Sequence, residues 1–289
     1  MAGSERNAPL TLRAMTHSDL ALGLRLCRAC QWNQVADDWR CFLDFDGAGC
    51  RLAAQDDAVV GTVAFLRYGG FGWIAMMLVD PGTRRAGIGS RLLESALGEL
   101  RDEPSIRLDA TPAGEPLYRR YGFTDEYPLA RTKILVTPEQ FRPSHNHVHR
   151  MEPAELPEVF VRDRVVFGAD RSVLLASFFQ RAPELAWVAR DGASLAGYCL
   201  GRPGHLYCQL GPIVAEDLET ARELVSHSLS GQHGRRIAID VPKYAAEWTR
   251  WMESAGFEVE RPFLRMCRGA NASPGLPDQV FGIAGPEFG

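Results

Sequence analysis

Two arginines and two glycines are closely spaced where an apolar segment ends. Arg84, Arg85, Gly87 and Gly89 follow the sequence Leu-Val-Asp-Pro-Gly and precede a run with the spacing of an amphipathic helix. Glycine lets backbone N–H groups come close to a bulky anion. The first turn of a helix also directs its positive end toward such an anion. The segment therefore predicts a binding site for a diphosphate.

Three diphosphate ligands fit this spacing to different degrees. A P-loop needs a lysine directly after its last glycine, and here Ser90 follows Gly89. A dinucleotide-binding turn needs a third glycine at the start of a βαβ unit, but the strands before this loop read as an antiparallel meander. Coenzyme A is the third candidate.

The elements that must position the loop predict an α/β unit over residues 9–136. A capping pattern, Thr16-x-x-Asp19, opens a first helix, and a second helix and a three-stranded meander follow it. The loop then leads into a helix with its leucines on one face. A strand at 106–110 and a short helix that ends at Gly122 complete the unit.

The same pattern recurs at residues 154–270, after a Pro-containing, mostly polar segment at 137–153 that reads as a linker. Val60-Gly61 matches Ala196-Gly197, and Tyr121-Gly122-Phe123 matches Ala255-Gly256-Phe257. The second copy has acidic residues over 215–220, in the place of the glycine loop, and they would repel a diphosphate. Residues 271–289 form a Gly- and Pro-rich tail that still contains aromatic residues, so we expect it to dock on the body.

At this point the chain resembles the GNAT superfamily of N-acetyltransferases. Arg84-x-x-Gly87-x-Gly89 matches the family's acetyl-CoA loop. Leu117-Tyr118-Arg119-Arg120-Tyr121-Gly122-Phe123 matches its later L-Y-x-x-x-G-F segment. The second copy resembles the family more weakly and is predicted to be a degenerate, non-catalytic domain. The resemblance implies an α/β (α+β) fold with two GNAT-like domains, each a mixed, mostly antiparallel twisted sheet flanked by helices.

The resemblance also implies residue roles. Backbone N–H groups from Arg85 to Ser90 would bind the diphosphate, and Tyr118 would be the general acid that protonates the leaving thiolate. Met252 stands at the corresponding position of the second copy and cannot donate a proton. The predicted cofactor residues are Leu78, Val79, Arg84, Arg85, Ala86, Gly87, Ile88, Gly89, Ser90 and Thr111.

The loop between the first two helices is where the family lines its acceptor pocket. From it we predict substrate contacts by Trp32, Asn33 and Asp38, since tryptophan faces and carboxylates attract cations. A helix cap at Asn33 is the alternative reading of that residue. The general base stays open between a water chain and the carboxylates of Asp37, Asp38, Asp44 and Asp46.

Composition narrows the class of protein. The chain has 289 residues, a net charge of -4, and 46% hydrophobic and 24% charged residues, which suits a globular protein of two domains. The acidic balance argues against nucleic acid as a partner, and no apolar run is long enough to cross a membrane. We expect a cytoplasmic protein with no metal, although Cys27-x-x-Cys30 and the alternating His145, His147 and His149 leave a metal site as the alternative.

The predicted function is transfer of an acetyl group from acetyl-CoA to the amine of a small molecule, by direct attack in a ternary complex. Two alternatives stay open at this point: an acyl-CoA-binding regulatory module, and a protein lysine or N-terminal acetyltransferase. The sequence leaves the acceptor and the oligomeric state open.

Overall fold

The computed structural model describes residues 9–45, 49–56, 58–144, 147–243, 246–270 and 274–289. Within these ranges the strands β1 to β13 are Thr11–Ala14, Gly49–Gln55, Ala58–Arg67, Gly72–Val79, Ser105–Ala110, Thr124–Leu135, Val148–Arg150, Trp187–Asp191, Ser194–Arg202, Cys208–Ala215, Arg236–Pro242, Glu258–Gly269 and Val280–Gly282. The helices α1 to α8 are Leu20–Ala29, Ala36–Asp44, Ile88–Glu99, Glu115–Arg120, Leu156–Phe167, Ser172–Arg181, Leu218–Ser230 and Ala246–Ser254.

Local sequence explains how the first half, residues 9–136, begins. The backbone N–H of Thr16 donates to Asp19 Oδ2 at 2.9 Å, which is the reciprocal contact of a capping box. After α1 and α2, strands β2, β3 and β4 form the antiparallel meander. Gly61 on β3 lets α3 pack close, because a Cβ there would meet Leu92 at 2.8 Å. Gly197 on β9 is the equivalent glycine of the second half, and it lets α7 pack close for the same reason. A Cβ there would meet Leu224 of α7 at 3.0 Å.

The two halves share one sheet and exchange a strand. The strand order is β1-β2-β3-β4-β5-β12-β6-β11-β10-β9-β8-β7. Strand β12, from the second half, therefore lies between β5 and β6, and β6, from the first half, lies between β12 and β11. Only β4–β5 and β10–β11 are parallel among these pairs. The fold class predicted from the sequence, a mixed and mostly antiparallel sheet flanked by helices, is confirmed, and the exchange is additional to it.

A buried ion pair fixes each exchanged strand. Arg265 on β12 donates from Nε and Nη2 to the two oxygens of Asp109 on β5, at 2.8 and 2.9 Å. Arg131 on β6 binds Asp240 on β11 in the same way, at 2.8 and 2.7 Å. Because both residues of each pair lie opposite one another in register, the two pairs are related by the pseudo-twofold symmetry of the repeat.

The segment predicted as a linker, residues 137–153, is not linker throughout. Strand β7 pairs with β8 at the edge of the sheet, with Val148 opposite Ala189. The tail packs against both halves. Tyr68 donates to the carbonyl of Phe288 at 2.9 Å, and Phe288 itself is fully buried. The tail is thus an integral part of the core.

Candidate active site

Strands β4 and β5 lie side by side at their first residues and then separate. They pair only at Gly72 with Ile106 and at Trp73 with Arg107. Beyond that point β4 carries a bulge, because the register places two residues, Met76 and Met77, opposite the single residue between Thr62 and Ala64. We call the space between β4 and β5 the open gap. Leu78 and Val79, two of the predicted cofactor residues, lie beside it.

The bulge has an unusual backbone. Met76 has φ of +50°, a conformation that non-glycine residues rarely adopt. Its carbonyl is held by the Thr62 hydroxyl, which donates to it at 2.8 Å. A bulge leaves its extra residue outside the hydrogen-bonded ladder. Backbone polar groups at the middle of β4 can therefore face a ligand in the open gap.

The glycine-containing loop joins β4 to α3. Gly87 is the N-cap of α3 and has φ of +78°, and Arg85 has φ of +69°. These left-handed residues turn the chain so that the first N–H groups of α3, which have no partner inside the helix, point out of its N-terminus. Asp80 stabilises the turn before the loop by accepting from Gly82 N at 3.1 Å. The arrangement suits a diphosphate.

Tyr118 is on α4, against the end of β5. It is 7% exposed, and its ring meets Phe123 edge-on with centroids 5.9 Å apart. Within the described part of the chain its hydroxyl has no hydrogen-bond partner in the protein. Burial raises the pKa of Tyr118 above its usual value, so the hydroxyl stays protonated and able to donate.

A cavity of about 770 Å³ connects the loop, the open gap and Tyr118. Many of the predicted site residues line it together: Trp32, Leu78, Val79, Arg84, Arg85, Gly89, Thr111 and Tyr118. Ala86, Gly87, Ile88 and Ser90 complete the loop and the start of α3 next to it. The opposite wall comes from β12 and the tail, with Arg261, Phe263, Pro286 and Glu287.

Two of the three predicted substrate residues lie elsewhere. Asn33 is buried and does not line the cavity, because its Oδ1 accepts from Leu206 N at 2.7 Å and its Nδ2 donates to Tyr207 O at 3.1 Å. Asp38 is also buried and accepts from Arg181 and Arg202 of the second half. Both side chains join the two halves of the chain, and the prediction that they face the substrate is corrected accordingly.

Of the candidate bases from the sequence, the described ones do not line the cavity either. Asp37 pairs with Arg40, and Asp44 accepts from His17 at 2.8 Å, both on the surface. Asp46 lies outside the described residues. The sequence analysis missed the carboxylates that line the cavity among the described residues, Asp109 and Glu287; Asp109 is held by Arg265, and Glu287 lies in the tail. The only sequence signal for Glu287 is that a Gly- and Pro-rich tail retains a glutamate next to a phenylalanine.

Comparison with known proteins places this site in a family. Models of the acetyltransferase (GNAT) domain match residues 46–125 and residues 159–282. The chain belongs to the GNAT acetyltransferase family. It is an acyltransferase with two GNAT domains in tandem. The second match extends past residue 270 and includes β13.

Relatives of similar length support the assignment. The chain is 26% identical over 261 residues to a holothin acyltransferase of Pseudoalteromonas sp. (strain SANK 73390), covering 90% of this chain and 87% of that protein. A putative acetyltransferase from Pyrococcus horikoshii has the same fold, with a TM-score of 0.81, 22% identity and full coverage of both chains. A tandem GNAT protein from the clavulanic acid biosynthesis pathway matches with a TM-score of 0.62, 14% identity, and 92% and 99% coverage.

The described residues offer no clustered metal ligands. Among them, no group of three or more His, Cys, Asp or Glu side chains is arranged to hold a metal ion. His145 lies outside the described residues. In the same part of the chain, no helix is both long enough and apolar enough to cross a membrane.

Proposed function

We propose that this GNAT protein uses acetyl-CoA as donor and a small-molecule amine as acceptor. The observation that supports this most strongly is that one cavity joins the glycine-containing loop to Tyr118. Its volume, about 770 Å³, is in the range of small-molecule sites. The diphosphate of the donor would bind at Arg84, Arg85 and the first N–H groups of α3. The chain between diphosphate and thioester would lie in the open gap, beside Leu78, Val79 and Thr111.

The chemistry follows from these positions. The neutral amine attacks the thioester carbonyl, and the negative charge that forms on the carbonyl oxygen is stabilised by a backbone N–H of the β4 bulge. When the carbon–sulfur bond breaks, Tyr118 donates its proton to the leaving thiolate. The tyrosinate then recovers a proton from the new amide nitrogen through water. The products are an N-acetyl compound and coenzyme A with a free thiol.

The walls of the cavity favour a small acceptor over a protein. Its far wall is built by β12 and by the tail, through Arg261, Phe263 and Glu287. A lysine on a folded protein would have to pass these elements. The relative named a holothin acyltransferase is in line with a small-molecule acceptor.

The test is thiol release. The protein is mixed with acetyl-CoA and a panel of amines, and free coenzyme A is measured with a thiol reagent. A reaction without donor provides the baseline, because the chain has seven cysteines. We expect release that needs both protein and amine. Binding of acetyl-CoA without release would favour the regulatory-module alternative, and release only with lysine or N-terminal peptides would favour a protein acceptor.

A further inference from the structure

The acceptor end of the cavity contains two carboxylates among the described residues. Only one of them has an oxygen that accepts no hydrogen bond. Both oxygens of Asp109 accept from Arg265, at 2.8 and 2.9 Å. Glu287 accepts from Arg202 through Oε1. Its Oε2 is buried and, within the described chain, has no donor in hydrogen-bonding geometry. A buried carboxylate oxygen without a donor is costly, so Oε2 is the position at which a ligand donor would be most stabilising.

The structure holds this carboxylate firmly. Gly285 has φ of +131°, and a Cβ there would lie 2.8 Å from Arg202 Nη2 and 3.0 Å from Glu287 Oε2. Glycine is therefore required next to the pair. The Arg202 guanidinium packs against the rings of both Phe178 and Phe288, 5.0 and 5.2 Å from their centroids. Glu287 thus approaches the cavity on a rigid support.

Asp38 has an indirect part in this arrangement. Its Oδ1 accepts from Arg202 Nε at 3.1 Å, and Arg202 in turn binds Glu287. The residue that the sequence suggested as an acceptor contact is therefore a positioning residue, which acts on Glu287 through Arg202.

Glu287 is ionised at neutral pH. Burial by itself would raise its pKa, but the charges of Arg202 and Arg131 lower the pKa below its usual value. A carboxylate of this kind is a weak base and a good partner for a cation. A protonated amine has three N–H donors, and the indole of Trp32, which also lines the cavity, can add a cation–π contact.

We propose that Glu287 binds the acceptor's amino group as an ammonium, so that the acceptors of this enzyme are amines that are protonated in solution at neutral pH. The inference rests on the proposed function. It assigns Glu287 to acceptor selection. The proton that the ammonium loses before attack passes to water, and the carboxylate itself stays ionised.

The test is the Glu287→Gln variant, which keeps the shape of the side chain and removes its charge. Wild type and variant are assayed with alkylamines, which are protonated at pH 7, and with arylamines, which are neutral. In the Glu287→Gln variant we expect the KM for alkylamines to rise about tenfold or more. The KM for acetyl-CoA and the kcat and KM for arylamines should change little. Glu287→Asp keeps the charge and should retain the preference for alkylamines. This second variant keeps the proposal testable if Glu287→Gln does not fold.

Glu126→Gln is the matched control. Glu126 is a largely buried glutamate, with 10% of its side chain exposed, that pairs with Arg107 at 3.2 Å and does not line this cavity. Its variant should leave the alkylamine preference unchanged. If Glu287→Gln lowers the rate equally for alkylamines and arylamines, or changes neither, the inference is overturned and the proposed function stands. A wild-type chain that acetylates no amine of either class would overturn the proposed function, and the inference with it.

Discussion

The two halves of this molecule build the same gap between parallel strands and use it in opposite ways. In the first half β4 and β5 separate after Trp73, and the gap between them is open. In the second half β10 and β11 pair only at Cys208 with Ile237 and at Gln209 with Ala238. There strand β13 of the tail fills the gap, with Gly282 opposite Ile213 and Ile283 N donating to Asp240 O at 3.0 Å.

The contacts of the filled gap show what the open gap lacks. Asp240 and Asp109 occupy equivalent places on β11 and β5, and each binds the arginine of an exchanged strand. The backbone of Asp240 also binds the tail, whereas Asp109 lines the cavity. The sheet geometry that the repeat encodes therefore creates an opening in both halves. The chain closes one opening with its own backbone and leaves the other for a ligand.

The largest expected effect is on the filled gap. Phe281 on β13 is 7% exposed and meets Trp248 edge-on, with ring centroids 5.3 Å apart. Replacing Phe281 with Ala should lower the free energy of unfolding by about 3–5 kcal/mol, because it leaves a cavity. Denaturant titration measures this. The control, Leu276→Ala, alters a 41% exposed side chain of the same tail and should cost about 0.5 kcal/mol or less. Equal effects of the two variants would contradict the view that β13 is a structural filler.

The next effect concerns the open gap. Tyr118→Phe should lower kcat about 100-fold, in the range of a lost general acid, and leave acetyl-CoA binding intact. Steady-state kinetics and calorimetry separate the two quantities. Tyr121→Phe is the control, since the Tyr121 hydroxyl binds Glu94 on the surface.

The same experiment can be extended to the second half. Adding Met252→Tyr to Tyr118→Phe should restore no activity, because β13 occupies the corresponding gap. Recovery of activity in the double variant would show that the filled gap can open. Unchanged turnover in Tyr118→Phe alone would refute the acid role.

A smaller effect is expected at the loop. Gly89→Asp would give the first half a carboxylate like those that precede and begin α7, where Glu216, Asp217 and Glu219 lie. We expect the KM for acetyl-CoA to rise about tenfold by repulsion of the diphosphate. Gly89→Ala is the control, because a Cβ there would be 3.5 Å from Leu117, an ordinary contact. An equal KM for the two variants would place the diphosphate elsewhere.

The smallest effect is an absence of change with pH. Because burial raises the pKa of Tyr118, its acid form persists beyond about pH 10, where an exposed tyrosine titrates. We expect kcat to stay level from about pH 8 to 10, and a pH–rate profile measures this. A decline through this range that Tyr118→Phe abolishes would mean that the hydroxyl is not sheltered in the working enzyme.

The sequence predicted the repeat, and it predicted that the glycine-containing loop and Tyr118 belong to one site. Each of these is visible as a local pattern. The sequence did not predict the strand exchange, since a strand has the same alternation whichever neighbour it pairs with. One signal was present: an arginine lies nine residues after the turn glycine in both copies, Gly122 to Arg131 and Gly256 to Arg265. Each arginine has an aspartate partner in the other copy. Glu287 was beyond prediction, because its place depends on the path of the tail through the whole fold.

The exchange of β6 and β12 also bears on how the protein is made. Strand β5 pairs with β4 on one side and with β12 on the other. The β12 side stays without a partner until residues 258–269 have left the ribosome. During most of translation β5 is therefore an unpaired edge, and such edges attract other strands. The first half cannot complete its active site ahead of the second. Splitting the gene between the halves would yield two fragments that must find each other before either gains a complete sheet.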